Sequence, residues 1–240
     1  MDSDLELIAV DAERWARELQ KHGFSIIMPE RWEERERLLA LRAVRRMARA
    51  LGGPEEMRRT LGPIALAKRK TGGGGLYAFW PRPPWMRIVV GEALLRQQPE
   101  WLGEVALIHE LAHAWDARTA NLVSRILGRP GRIVREMVRF VGEEPGPTRY
   151  GSGLRLFHRN ASTAASEQWA ETVAAYLYPE YIAHLSGRPE EREWPAQAGR
   201  PEHLRPGLGI RHRVYVEGRF LEGQDGMTPT PNLPEKSSIP

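Results

Sequence analysis

The chain has 240 residues, a formal net charge of +4 and no cysteine. This length fits one large domain or two small ones, and an apolar content of 41% can build a sizeable core. Without cysteine, disulfides and thiolate metal sites are excluded, so a bound metal must be held by histidine and carboxylate side chains. Acidic and basic residues are interleaved along the chain, which argues against a dedicated nucleic-acid-binding protein.

The amino-terminal stretch MDSDLELIAVDAERW is acidic and helical in pattern, which argues against a secretory signal. No apolar run approaches the roughly 18 residues that a membrane-spanning helix needs. We therefore expect a soluble protein of the cytoplasm that does not contact a membrane.

Apolar residues at helical spacing alternate with short strand-like runs in the first half of the chain. The predicted helices and turns span residues 3–22, about 31–51 and 54–61. The predicted strands or buried connectors span residues 23–29, 63–69, 76–80 and 87–94. Because the last three runs are short and joined by hairpin-like connections, we expect a small mixed or antiparallel sheet.

The second half is predicted to be mostly helical. Helices are expected at about 100–119, within 121–142, and at 162–185 with an interruption at Pro179. The stretch IRHRVYVEGRFLEG (210–223) predicts a short hairpin with Glu217-Gly218 in the turn. The final stretch has the composition of a disordered tail.

The stretch LIHELAHAWDA (107–117) contains the spacing H-E-x-x-H. Because side chains at i and i+4 share a helix face, His109 and His113 can present two imidazole nitrogens to one metal ion. Glu110 lies about 100° round the helix, where it can reach a metal-bound water. Zinc suits this arrangement. Three apolar residues on another side are expected to enter the core: Leu107, Leu111 and Ala114.

A catalytic zinc takes three protein ligands and a water, so a third ligand must come from elsewhere in the chain. The metzincin pattern HExxHxxGxxH is excluded, because Asp116 and Thr119 occupy its last two fixed positions. Glu167 in SEQWAE is the better candidate, and Glu171 lies one turn further on the same face. One carboxylate can bind the metal while the other accepts the free N–H of a ligand imidazole. The alternative is that both are surface acids on an alanine-rich helix.

Three motifs together resemble the gluzincin metallopeptidases, most closely the peptidase domains like that of anthrax-toxin lethal factor: HELAHAWD (109–116), RYG (149–151) and EQWAE (167–171). The resemblance covers about residues 60–186. The counterparts of the family's motif positions are Gly74, Gly75 and Tyr77 before the motif helix, His109, Glu110, His113 and Asp116 on it, and Glu167, Ala170 and Glu171 after it.

The resemblance implies an α+β, zincin-like fold in which the sheet packs on the HExxH helix and on a second, glutamate-bearing helix. It also implies one zinc ion per chain, with His109, His113 and Glu167 as its ligands and Glu171 and Asp116 supporting them. The expected division of the chain is a helical N-terminal extension (1–55), a catalytic domain (56–190), a Pro-rich segment with the hairpin (191–222) and a disordered tail (223–240).

In this family the catalytic glutamate is the general base, a role that falls to Glu110, and a tyrosine hydroxyl stabilises the oxyanion. Tyr150 matches that tyrosine in kind. However, Glu167 follows Tyr150 by 17 positions, which is an insertion relative to the family. His158 is therefore the alternative oxyanion donor.

A strand at 76–80 could hold an extended peptide by main-chain pairing if it lies at the sheet edge, with Tyr77, Ala78 and Phe79 as substrate-binding residues. These features predict a zinc metallopeptidase that acts on a peptide or protein substrate. One alternative is a catalytically silent zincin-like module of a larger complex, with the N-terminal helices or the tail contacting a protein partner. A DNA-associated protease is a third reading, suggested by the basic balance.

Overall fold

The computed structural model describes residues 3–70, 75–79, 86–127, 129–153, 158–188 and 207–225. Within these ranges the chain is α+β and mostly helical, with one four-stranded sheet. The strands are β1 (Phe24–Ile26), β2 (Ile64–Arg69), β3 (Gly75–Phe79) and β4 (Met86–Gly91). The helices are α1 (Ser3–Val10), α2 (Ala12–Gln20), α3 (Glu34–Ala50), α4 (Pro54–Leu61), α5 (Glu92–Leu95), α6 (Trp101–Arg118), α7 (Leu122–Ile126), α8 (Arg132–Val141), α9 (Ala161–Leu177), α10 (Pro179–Ser186) and α11 (Ile210–Asp225).

The sheet is mixed, with the strand order β1-β2-β4-β3. The first three strands in this order are parallel, and β3 pairs antiparallel with β4 at the edge. The expectation of a mixed sheet is confirmed, whereas the antiparallel alternative is wrong. The reason is that β3 lies beyond β4 rather than between β2 and β4, so that β2 and β4 pair directly and run in the same direction. The continuous apolar run IALA in β2 is typical of a central strand that is buried on both faces.

The N-terminal helical region is divided where the sequence predicted one continuous helix. Asp11 interrupts it, because its carboxylate accepts hydrogen bonds from the backbone N–H groups of Glu13 at 2.8 Å and Arg14 at 3.1 Å. An aspartate that caps the following turn in this way starts a new helix. Beyond α2, strand β1 pairs with β2, so the first 55 residues share the sheet and the hydrophobic core with the rest of the chain.

Helix α6 runs through the middle of the molecule and packs against both α3 and α9. Leu107, Leu111 and Ala114 are fully buried, as their helical spacing predicts. Helix α9 is fixed against α6 by Trp169, whose indole N–H donates to the Ala112 carbonyl at 2.9 Å. This bond sets the register in which the two helices face each other.

The hairpin predicted at 210–223 is wrong, because this stretch forms helix α11. Its buried residues recur at helical spacing and pack against α8 and α9: His212, Tyr215, Val216, Arg219 and Phe220. Gly218 is the residue that suggested a turn, but a Cβ there would meet nothing, so it faces open space. A glycine within a helix costs only about 1 kcal/mol, which the burial of the neighbouring apolar residues readily offsets.

Two other predicted segments, residues 191–206 and the tail from 226, lie outside the described residues. The same is true of Gly74. Among the helices that the structure does describe, we find none with the length and apolar character needed to cross a membrane.

Candidate metal centre

Three side chains from two helices converge where α6 faces α9. His113 Nε2 lies 3.1 Å from His109 Nε2 and 3.4 Å from Glu167 Oε2. Glu167 Oε2 in turn lies 2.9 Å from His109 Nε2. The structure thus brings together the two imidazoles of the H-E-x-x-H motif and the carboxylate expected from the downstream helix.

Glu171 lies one turn beyond Glu167 and contacts the other side of the His109 ring. Its Oε1 atom lies 2.9 Å from His109 Nδ1. Its Oε2 atom accepts hydrogen bonds from the hydroxyls of Thr148 at 2.9 Å and Tyr181 at 3.0 Å. Because an ionised carboxylate only accepts, a neutral His109 donates either through Nδ1 to Glu171 or through Nε2 to Glu167, and the Nδ1–H tautomer is the one that leaves Nε2 able to bind a metal.

This tautomer determines what the three converging atoms can bind. With the proton on Nδ1, His109 Nε2 carries a lone pair that points at the Glu167 carboxylate and at His113 Nε2. Three acceptor atoms that lie this close repel one another unless a cation or protons sit between them. Two imidazole nitrogens and one carboxylate oxygen are a donor set that suits zinc, and their ligating atoms all lie within 4.8 Å of one another.

The pKa shifts of His109 and Glu167 also indicate that this cluster favours a positive charge. Burial, the largest single effect on His109, favours the neutral ring, but the hydrogen bonds to Glu167 and Glu171 outweigh it and raise the pKa well above its usual value. For Glu167, burial acts to raise the pKa, and the two histidines outweigh it and hold the pKa far below its ordinary range. A positive charge is therefore favoured at this point, whether it is a proton or a metal ion.

Glu110 lies on the neighbouring face of α6 and lines a cavity of about 270 Å³. His109, Tyr150 and Tyr181 line the same cavity, together with apolar side chains such as Val105. Glu110 is itself buried. Among the described residues we find no hydrogen-bond donor to its carboxylate, which leaves the carboxylate able to accept a proton from a molecule in the cavity.

Tyr150 is half-exposed at the cavity mouth, with its ring centroid 6.3 Å from that of His109. Burial of the hydroxyl, followed by the charges of the surrounding glutamates, raises its pKa to about 12. The next residue, Gly151, allows this approach, because a Cβ there would lie 2.4 Å from the Cβ of Glu171.

His158 packs edge-on against Tyr150, with the two ring centroids 4.8 Å apart. Its Nε2 atom contacts the Tyr150 carbonyl oxygen. Of the two candidate donors, Tyr150 is among the residues that line the cavity, and His158 contacts Tyr150 from beside it.

Asp116, the other acid of the motif helix, is buried and bonded to the start of α8. Its two carboxylate oxygens accept the backbone N–H groups of Gly131 at 2.6 Å and Val134 at 2.9 Å. Asp116 therefore caps α8. Asp116 can influence His109 and His113 through the position of α6, the helix that carries all three residues.

Tyr77, Ala78 and Phe79 lie on β3, which is the edge strand beyond β4 and packs against α6. The sequence analysis predicted that a strand here could bind a peptide if it lay at a sheet edge. Strand β3 lies at the edge of the described sheet.

Sequence reasoning missed Thr148 and Tyr181, the two hydroxyls that hold Glu171. Neither belongs to a spacing pattern, because Thr148 lies in a loop and Tyr181 on a different helix, α10. Only the folded chain brings them to the same oxygen atom.

Comparisons with models of protein families, with curated proteins and with solved structures found no match for this chain.

Proposed function

We propose that this chain is a zinc-dependent metallopeptidase with a zincin-like fold. One observation carries the proposal: His109 Nε2, His113 Nε2 and Glu167 Oε2 lie 2.9 to 3.4 Å from one another. Tetrahedral ligands at the usual zinc distances of about 2.0–2.1 Å are roughly 3.4 Å apart, close to these values. A mixed sheet beside the H-E-x-x-H helix and a second, glutamate-bearing helix supports the fold.

His109, His113 and Glu167 would hold the zinc, one ion per chain. When bound, zinc would acidify a water molecule and polarise the peptide carbonyl. Glu171 would keep the Nδ1–H tautomer of His109, so that Nε2 offers its lone pair to the ion.

The remaining chemistry belongs to residues that line the cavity. Glu110 takes a proton from the attacking water and delivers it to the leaving amine. Tyr150 donates a hydrogen bond from its hydroxyl to the developing oxyanion, and its raised pKa keeps the hydroxyl protonated at neutral pH. The outer edge of β3 offers backbone groups that can pair with an extended peptide.

The proposal is tested by measuring the zinc content of the purified chain and its hydrolysis of a random peptide mixture. Glu110→Gln should keep the zinc and lower the hydrolysis rate by about 10²–10⁴-fold, because the general base is lost while the ligands remain. Glu100→Gln is the matched control, since Glu100 lies just before α6, pairs with Arg35 at 2.9 Å and is not among the residues that line the cavity.

A wild-type chain that retains no zinc contradicts the proposal. So does a Glu110→Gln variant that hydrolyses peptides as fast as the Glu100→Gln control. Zinc binding without turnover on any peptide would instead identify a binding module.

A further inference from the structure

Thr148 is completely buried, and its hydroxyl both donates and accepts a hydrogen bond. It donates to Glu171 Oε2 at 2.9 Å. The direction is certain because an ionised carboxylate has no proton to give. Since its single proton is used, the same oxygen accepts the backbone N–H of Gly151, also at 2.9 Å.

These two bonds join separate parts of the proposed site. Glu171 contacts Nδ1 of His109 and in the proposed site would hold its Nδ1–H tautomer, and Gly151 is the residue directly after Tyr150. One hydroxyl therefore connects the carboxylate behind a metal ligand to the loop that carries the oxyanion donor. The contact is close, because Gly151 lies where even one added carbon would overlap Glu171.

Tyr181 provides a natural comparison. Its hydroxyl donates to the same Glu171 Oε2 atom at 3.0 Å, but Tyr181 comes from α10. Thr148 and Tyr181 thus both hold Glu171 from different parts of the chain, and the Thr148 hydroxyl also accepts the Gly151 N–H.

We propose that Thr148 is a positioning residue that couples the two halves of the site, Glu171 behind His109 and the loop that carries Tyr150. This inference rests on the proposed function. Without the Thr148 hydroxyl, Glu171 loses one of its two hydroxyl donors, and the Gly151 N–H is left buried without its partner. The tautomer of His109 and the position of the Tyr150 hydroxyl should then both become less defined.

The test measures zinc affinity, and kcat at saturating zinc, in four variants. Thr148→Val keeps the shape of the side chain and removes both bonds, so we expect about tenfold weaker zinc binding and about tenfold lower kcat, at the lower end of the range for groups that support metal ligands. Thr148→Ser keeps the hydroxyl and should restore both. Tyr181→Phe removes the other hydroxyl donor to Glu171 and should weaken zinc binding to a similar degree.

Thr172→Val is the matched control. Thr172 is another fully buried threonine, next to Glu171 in sequence, and its hydroxyl donates to the Gln168 carbonyl within the helix at 2.7 Å. Removing this hydroxyl should change neither the zinc affinity nor kcat. A Thr148→Val variant that behaves like Thr172→Val overturns the inference.

A double-mutant cycle separates positioning from general damage. If Thr148 acts on kcat through Tyr150, then Thr148→Val should lower kcat no further in a Tyr150→Phe background. An equal further loss in that background overturns the coupling. Should Thr148→Val fail to fold, Thr148→Cys, with its weak donor, takes its place in the cycle.

Measurements on the wild-type chain distinguish a failure of the proposed function from a failure of the positioning inference. If it binds no zinc and cleaves no peptide, the proposed function has failed. If it does both and the Thr148 variants are inert, only the positioning inference has failed.

Discussion

Two clusters of three possible metal ligands occur in the described part of the chain, and they differ in what balances their charge. One is the group of His109, His113 and Glu167 between α6 and α9. The other consists of Glu33, Glu36 and Glu92, near the start of α3 and the end of β4. In both, the possible ligand atoms lie within 4.8 Å of one another.

The second cluster already contains its counter-charges. Arg96 lies 2.5 Å from both Glu33 and Glu92, and Lys68 lies 2.6 Å from Glu36. At the first cluster, two histidines face Glu167, and a histidine can either carry a proton or release it to make room for a metal. Proximity of carboxylates is therefore a poor criterion for a metal site, and the chemistry of the partners is a better one.

The largest expected effect on zinc binding is the loss of one ligand at the first cluster. Structural zinc sites bind with about 10–16 kcal/mol over four ligands, so one ligand contributes roughly 2.5–4 kcal/mol. His113→Ala should therefore weaken zinc binding by roughly 100- to 1,000-fold in a competitive chelator titration. The double variant Glu33→Gln, Glu92→Gln should bind zinc with the wild-type affinity. If it loses as much zinc affinity as His113→Ala does, the two clusters do not differ in metal binding.

The second cluster should matter for stability instead. Lys68 and Glu36 form a buried pair, and removal of one member of such a pair leaves an uncompensated charge. Lys68→Met should lower the free energy of unfolding by about 3–5 kcal/mol in a urea titration. Adding Glu36→Gln, which removes the charge and keeps an oxygen for the Glu33 backbone N–H, should recover most of the loss. If Glu36→Gln recovers none of the lost stability, the loss in Lys68→Met does not come from breaking the Lys68–Glu36 pair.

Added zinc should separate the two clusters by mass action. A ligand present at 100 times its Kd stabilises the folded state by about 2.7 kcal/mol. We expect that increment for the wild type in thermal or urea unfolding, and for the Glu33→Gln, Glu92→Gln double variant as well. His113→Ala should lose it, and a His113→Ala variant that zinc still stabilises fully would place the ion elsewhere.

The smallest effect concerns pH in the zinc-free chain. The pKa of His109 is raised above its unfolded value of about 6.5, because the hydrogen bonds to Glu167 and Glu171 outweigh burial. The stability from its protonated form is thus full below that value and is lost as pH rises through the raised pKa, by at most about 1.4 kcal/mol per pH unit. Urea titrations above pH 6.5 should show this decline in the wild type and not in His109→Gln. Zinc affinity should change in the opposite sense, rising with pH as the competing proton leaves.

Much of the candidate site follows from local spacing. The motif places His109 and His113 on one helix face, and the four-residue interval between Glu167 and Glu171 places two carboxylates on another. What the spacing could not supply is the register between the helices, which the Trp169 bond to the α6 backbone sets. Thr148 and Tyr181 could not be predicted for the same reason, since their roles exist only after the loop and α10 fold onto Glu171.

The errors in the fold have equally local causes. Asp11 could have been recognised as a helix cap, but the apolar spacing continued across it and concealed the break. In α11, the Glu217-Gly218 pair suggested a turn between two strands, although positions 212, 215, 216, 219 and 220 match a helical face. The parallel pairing of β2 with β4 depends on the position of β3 at the edge, which no short-range pattern encodes.

Residues at the end of α6 cap the start of α8, and this restricts where the chain can accept an insertion. The helix that carries His109 and His113 also supplies Asp116 and Thr119, which accept the first backbone N–H groups of α8. One residue inserted between His113 and Asp116 would rotate one group relative to the other by about 100°. We therefore expect homologues to tolerate insertions before Trp101 or after Thr119, and to keep the interval between these positions constant.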